Sequence, residues 1–304
     1  MAKVIKYRKQ KPSITLLIGA PRSVAEVAQI LESKGEQFYI LDRSIEDFEL
    51  QEMEEDMTRM MTEMMGLPSP KSQNENDIHP LYEPYANRVI FGIDDIDEGV
   101  DISCILDLSI LTAMMKIDAI HAFAEEFPSA LVLSSTLCCT ATDLNAMLPL
   151  ASQVVGFAGL PGWTSRTTIE IAPSLRTRDI THKRAVEYFA NLGFATEIVE
   201  DRVALVAPRI LAMLINEAAF AVMENVATPQ DIDNAMKLGV NYPQGLLEWA
   251  DKIGIDIVLM ILDSLYDEYK QERYRPCVLL RQYMRAGWLG QETGRGFYNY
   301  MPTN

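Results

Sequence analysis

The stretch that most limits what this chain can fold into is VALVAPRILAMLINEAAFAVMENV, starting at Val203. Within it Leu205, Ile210, Leu214, Ala218 and Val222 recur near the 3.6-residue period. A run this apolar predicts a helix that other helices must cover. Thr228-Pro229-Gln230-Asp231 then reads as a helix start, with Thr228 as N-cap, Pro229 in the first position and an acid in the first turn. AMKLGVNYPQGLLEWADKIG sets Gly239, Pro243 and Gly245 in a tight corner between helices, and residues 255–269 supply a further amphipathic helix. The pattern predicts an all-α C-terminal domain over residues 201–304.

The first two-thirds alternates differently. Residues 13–19, SITLLIG, form the continuous apolar run of a strand buried on both faces. AEVAQIL follows as a helix, then QFYILD as a second strand ending at Asp42. Further strands are expected at 89–91, 102–108 and 130–133, with a helix reaching about Phe127. The fold class is therefore α/β: a doubly wound, Rossmann-like N-terminal domain over residues 1–200, then the helical domain. In such a fold the first strand leads into GxGxxG, whose glycines admit a dinucleotide pyrophosphate. Here the six residues are Gly19-Ala20-Pro21-Arg22-Ser23-Val24. Pro21 removes a backbone donor and Val24 adds bulk. Asp42 stands at the spacing of a ribose-binding carboxylate. Either Arg22 or Ser23 meets phosphate in an altered nucleotide site, or the fold persists around a decayed one.

A chain of 304 residues with 48% hydrophobic content supports two packed cores. A net charge of −16 argues against a nucleic-acid surface and offers no long-range pull on an anionic ligand. No long uncharged apolar run suggests a membrane span, and the basic start, residues 1–12, lacks a secretory h-region, so a cytoplasmic location is expected. Four cysteines without metal or disulfide spacing are expected to be reduced. Residues 44–66 read as an acidic helix with a methionine face, suited to packing or to a partner. Residues 67–88, with four prolines, read as a long loop.

ATPQDIDNAMKLGVNYPQGLLEWADKIG and GWLGQETGRGFYNY resemble the C-terminal domain of 3-hydroxyacyl-CoA dehydrogenases, and the likeness extends more weakly along nearly the whole chain. The resemblance implies NAD as cofactor, an acyl-CoA substrate, and a homodimer formed through residues 203–300, which also wall the acyl-CoA pocket. It implies hydride transfer from a 3-hydroxyacyl-CoA while a histidine takes the hydroxyl proton, a glutamate orients that histidine, and a serine and an asparagine hold the substrate oxygen. The motif SNTSS corresponds to Ser134-Ser135-Thr136-Leu137-Cys138, so Leu137 takes the place of the serine while Ser134 and Thr136 remain as hydroxyls. GxHFFNP corresponds to residues 156–162, with Ala158 for the histidine. Thr167-Thr168-Ile169-Glu170-Ile171 keeps the glutamate as Glu170. DxxGFxxNR corresponds to residues 201–209, with Pro208 for the asparagine. His79, His121 and His182 match no catalytic position.

These replacements leave two expectations. One is a non-redox CoA-ester binder or partner subunit. The other is a divergent enzyme on a related thioester, with Glu170 as base and Ser134 or Thr136 assisting.

Overall fold

The computed structural model describes residues 13–42 and 78–300. The expectations for residues 1–12 and 44–66 lie outside the described residues. Eight strands form one sheet: β1 (Ser13–Ile18), β2 (Gln37–Leu41), β3 (Val89–Ile90), β4 (Asp101–Asp107), β5 (Leu131–Ser135), β6 (Val154–Phe157), β7 (Thr168–Pro173) and β8 (Ala195–Ile198). Their order is β3-β2-β1-β4-β5-β6-β7-β8. All neighbours are parallel except β6 and β7.

Helices α1 (Pro21–Ser33), α2 (Ala113–Glu126), α3 (Ala141–Met147) and α4 (Asp179–Leu192) cover the two faces. β1 shows why SITLLI is apolar throughout. Leu17 joins Val24, Val27, Phe38, Phe157 and Phe189 on one face, while Ile14, Leu16 and Ile18 join Ile120, Phe123 and Leu144 on the other. This is the doubly wound arrangement that the sequence predicts, and its topological switch lies where β1 meets β2 and β4.

The expected loop at 67–88 is ordered differently where it is described. Pro80–Arg88 winds into 3-10 turns that bury Tyr82 and Tyr85, with Tyr85 edge-on to Phe38 at 5.6 Å. Two buried aromatic rings stabilise a segment whose prolines alone suggested a loop.

The helical part comprises α5 (Ala207–Met223), α6 (Pro229–Gly239), α7 (Leu246–Ile253), α8 (Ile255–Tyr269) and α9 (Val278–Arg285). The first helix starts later than its apolar run suggests, because Ala204 and Leu205 take left-handed φ values of 61° and 49° and break the period. Thr228 caps α6, accepting from the Asp231 N–H at 3.2 Å. The corner before α7 needs Gly245: a Cβ there would stand 2.1 Å from Cγ of Asp233. That carboxylate accepts the N–H groups of Leu247 and Glu248, each at 2.9 Å, and so caps α7. The helical core also takes in Ile110, Leu137, Cys138 and Leu160 from the sheet side, so the two parts share packing. Among the described residues no helix is long and apolar enough to cross a membrane.

Candidate functional site

At the switch point, Gly19 has φ +125°, and a Cβ on it would lie 2.4 Å from the Ser109 nitrogen. Close approach of the β4 exit loop is therefore enough to require glycine there. Pro21 opens α1 without an N–H, and Val24 is fully buried in the core. Ser23 is buried. Arg22 is exposed, with its guanidinium 3.7 Å from Glu26. Asp42 follows β2, and its Oδ2 accepts the His79 N–H at 2.8 Å. The candidate ribose carboxylate is thus bonded by the chain itself.

The hydroxyls at the end of β5 are fully buried. Ser134 Oγ donates to the Asp107 carboxylate, which also receives Lys116 Nζ at 2.9 Å and the Ser109 hydroxyl. Lys116 Nζ reaches Ser134 Oγ at 3.2 Å. Burial, the largest single influence, pulls the Lys116 ammonium toward neutrality, but the Asp107 carboxylate together with Cys139 and Cys138 outweighs it and the net direction is up. Thr136 Oγ1 has no partner and faces Gly156, where a Cβ would lie 2.5 Å away. Burial pushes the nearby Cys139 thiol up to about 12, so it stays protonated. Among the described residues no group of three or more histidine, cysteine or acidic side chains gathers to hold a metal.

The structure brings Ala158, Glu170 and Pro208 together. The Ala158 N–H donates to the Glu170 carbonyl at 3.0 Å, and the Ala158 methyl is buried against Ala172 and Leu205. The Glu170 carboxylate accepts the Val206 N–H at 2.8 Å on one oxygen and the Ala207 N–H at 2.9 Å on the other. Pro208, with no N–H to offer, is buried in the same first turn of α5. Leu137 is fully buried and belongs to the helical core. Asp201 repeats the theme, accepting the Ala141 and Thr142 N–H groups at 2.8 Å and capping α3. Carboxylates here complete helix N-termini, where orphan donors and the helix dipole favour negative charge.

His79, His121 and His182 stand away from this group: His121 lies in α2, His182 lies in α4, and His79 caps the 3-10 turns by accepting from the Leu81 N–H. Sequence reasoning missed the Asp107–Lys116 pair. Its signals were an acid directly after the apolar run Cys104–Leu106 of β4 and a single lysine in the apolar start of α2.

Comparison with known proteins gives a consistent result. The family model for the C-terminal domain of 3-hydroxyacyl-CoA dehydrogenases matches residues 205–300. The 3-hydroxybutyryl-CoA dehydrogenase of Bradyrhizobium diazoefficiens is 34% identical over 212 residues, covering 69% of this chain and 72% of that protein. A probable 3-hydroxybutyryl-CoA dehydrogenase of Deinococcus radiodurans is 31% identical over 207 residues, covering 68% and 74%. Among solved structures, the (S)-3-hydroxybutyryl-CoA dehydrogenase of Ralstonia eutropha superposes with a TM-score of 0.69 at 25% identity, covering 96% of this chain and all of that one.

Proposed function

This chain belongs to the 3-hydroxyacyl-CoA dehydrogenase family, and from that premise we propose that it has lost hydride transfer and works by binding, as a CoA-ester-binding subunit of a homodimer. One observation carries the reading. At the three positions where the resemblance calls for histidine, serine and asparagine, the chain has Ala158, Leu137 and Pro208; all three are buried, Ala158 and Leu137 within apolar clusters. None can accept a proton from a substrate hydroxyl or donate to its oxygen.

The remaining candidates do not replace them. Each Glu170 oxygen is held by a backbone amide of α5, so the carboxylate completes a helix end. Ser134 serves Asp107 and Lys116 out of contact with solvent. The residues at the switch point also fit NAD poorly. Pro21 removes one amide from the pyrophosphate cradle, Val24 fills the space of a third glycine, and Asp42 is taken by the His79 N–H. We place the boundary between the α/β and helical domains near residue 200, and assembly in the helical part.

The test follows NADH formation from 3-hydroxybutyryl-CoA, together with thermal stabilisation by NAD, CoA and short acyl-CoAs. The expected result is no turnover, stabilisation by CoA esters and none by NAD. Robust NADH formation would overturn the proposal.

A further inference from the structure

The segment that leaves β4 lies across the topological switch point. Asp107 ends that strand and α2 begins at Ala113, so residues 108–112 pass from one to the other beside Gly19. Their side chains divide between the two parts of the protein. Leu108 packs with Leu17 and Val24 in the α/β core, and its N–H donates to the Ile18 carbonyl at 2.7 Å. Ile110 is 4% exposed and joins the helical core instead, in the cluster that also holds Leu137, Cys138 and Leu160. Of residues 108–112, Ile110 alone belongs to that core.

Both flanks of the segment are tied to one buried carboxylate. Asp107 accepts the Ser109 N–H at 3.0 Å and the Ser109 hydroxyl on one oxygen, and Lys116 Nζ at 2.9 Å and the Ser134 hydroxyl on the other. Lys116 stands in the first turn of α2, nine residues from Asp107, so the pair pins the start and finish of a short arch. The closed arrangement leaves two polar groups unmet. At the end of β5, directly before Leu137, the Ser135 and Thr136 hydroxyls are fully buried and have no hydrogen-bond partner among the described residues. A buried hydroxyl without a partner raises the energy of the closed state, and water that reached it on opening would lower that cost. We propose that residues 108–112 form an autoinhibitory latch: with Ile110 seated in the helical core the crevice is shut, and withdrawal of Ile110 opens it while both cores stay folded.

Opening can be local because a single side chain joins the latch to the helical part, whereas Asp107 and Lys116 anchor it to the sheet. Ligands of doubly wound sheets bind outside the carboxyl ends of the strands, and the segment after β4 occupies that place here. A ligand must therefore displace the latch before it reaches the ends of β1, β4 and β5. The device is separate from the replacements at positions 158 and 208, and it holds whatever ligand the crevice takes.

Three buried cysteines report on the latch in the full-length protein. Cys104 lies in the α/β core and Cys277 in the helical core, while Cys138, just past β5, lies in the cluster that Ile110 joins from the sheet side. The folded protein is alkylated with iodoacetamide, and tandem mass spectrometry resolves Cys138 from its neighbour Cys139. Ile110→Ser removes the apolar contact and should speed alkylation of Cys138 at least ~10-fold, with Cys104 and Cys277 still reacting at their parent rates. Asp107→Asn combined with Lys116→Met dissolves the clamp without stranding a lone buried charge, and should act in the same direction. A selective rise at Cys138 in either variant supports the latch. If neither variant raises Cys138 alone, because its rate is unchanged or because all three cysteines speed up together, the latch is overturned and the segment is an ordinary part of one cooperative core.

Discussion

Replacing Glu170 separates a helix cap from an idle catalytic acid. Its two oxygens accept the Val206 and Ala207 N–H groups at 2.8 and 2.9 Å, at the very start of α5. Hydrogen bonds to a charged group contribute about 1.5–3 kcal/mol each where water is excluded. Here Val206 and Ala207 are exposed and Glu170 is half-buried, so water partly replaces a lost acceptor. Cap replacements, at about 0.5–2 kcal/mol, are the better guide. Glu170→Ala should therefore cost about 1–2 kcal/mol, the upper half of that range because two donors and the helix dipole are affected together. At the ~2–4 °C per kcal/mol seen for chains of 150–250 residues, the melting temperature should fall by a few degrees. Glu170→Gln keeps one acceptor and should recover part of the loss. Urea unfolding gives the free energy, and hydrogen exchange at the Val206 and Ala207 amides reports the cap directly; both amides should exchange faster in Glu170→Ala. Residues kept for chemistry commonly stabilise a protein when removed. A variant within 0.5 kcal/mol of the parent, or a more stable one, would therefore refute the cap assignment.

Ala158→His should restore no dehydrogenase activity: the new ring must displace Ala172 and Leu205, an overpacking that costs about 1–3 kcal/mol, and its intended partner already caps α5. An NADH signal from that single variant would show that the surroundings are still competent. Gly245→Ala should destabilise the helical part by at least ~2 kcal/mol, because the new methyl drives the Asp233 carboxylate off the start of α7; calorimetry of the variant checks this. Burial first, and then the charge of Glu292, raises the pKa of Asp256 above its ordinary value of 3.8, so the folded state holds its proton to higher pH than the unfolded chain does. This group's contribution to stability therefore falls as pH rises from the ordinary carboxylate value through the raised one. Asp256→Asn should gain stability relative to the parent over that interval in a pH series of urea midpoints, and a constant difference would contradict it.

The elements were legible in the sequence because their signals are local. SITLLI needs only its unbroken apolar run to be a buried strand, Thr228-Pro229 needs only its cap chemistry to start α6, and the Gly239–Gly245 corner needs only its breakers. That Ala158, Leu137 and Pro208 carry no side-chain donor or acceptor was equally legible, since it holds in any fold. What each retained polar group does was decided by tertiary structure alone. Glu170 meets α5 from 36 residues away, Asp42 meets the His79 amide from 37 away, and Ser134 shares the buried Asp107 with Lys116. A carboxylate has the same sequence signature whether it takes a proton from a substrate or completes a helix. Only the direction of the N–H groups around it tells them apart, and those directions are set by how the helices pack onto the sheet.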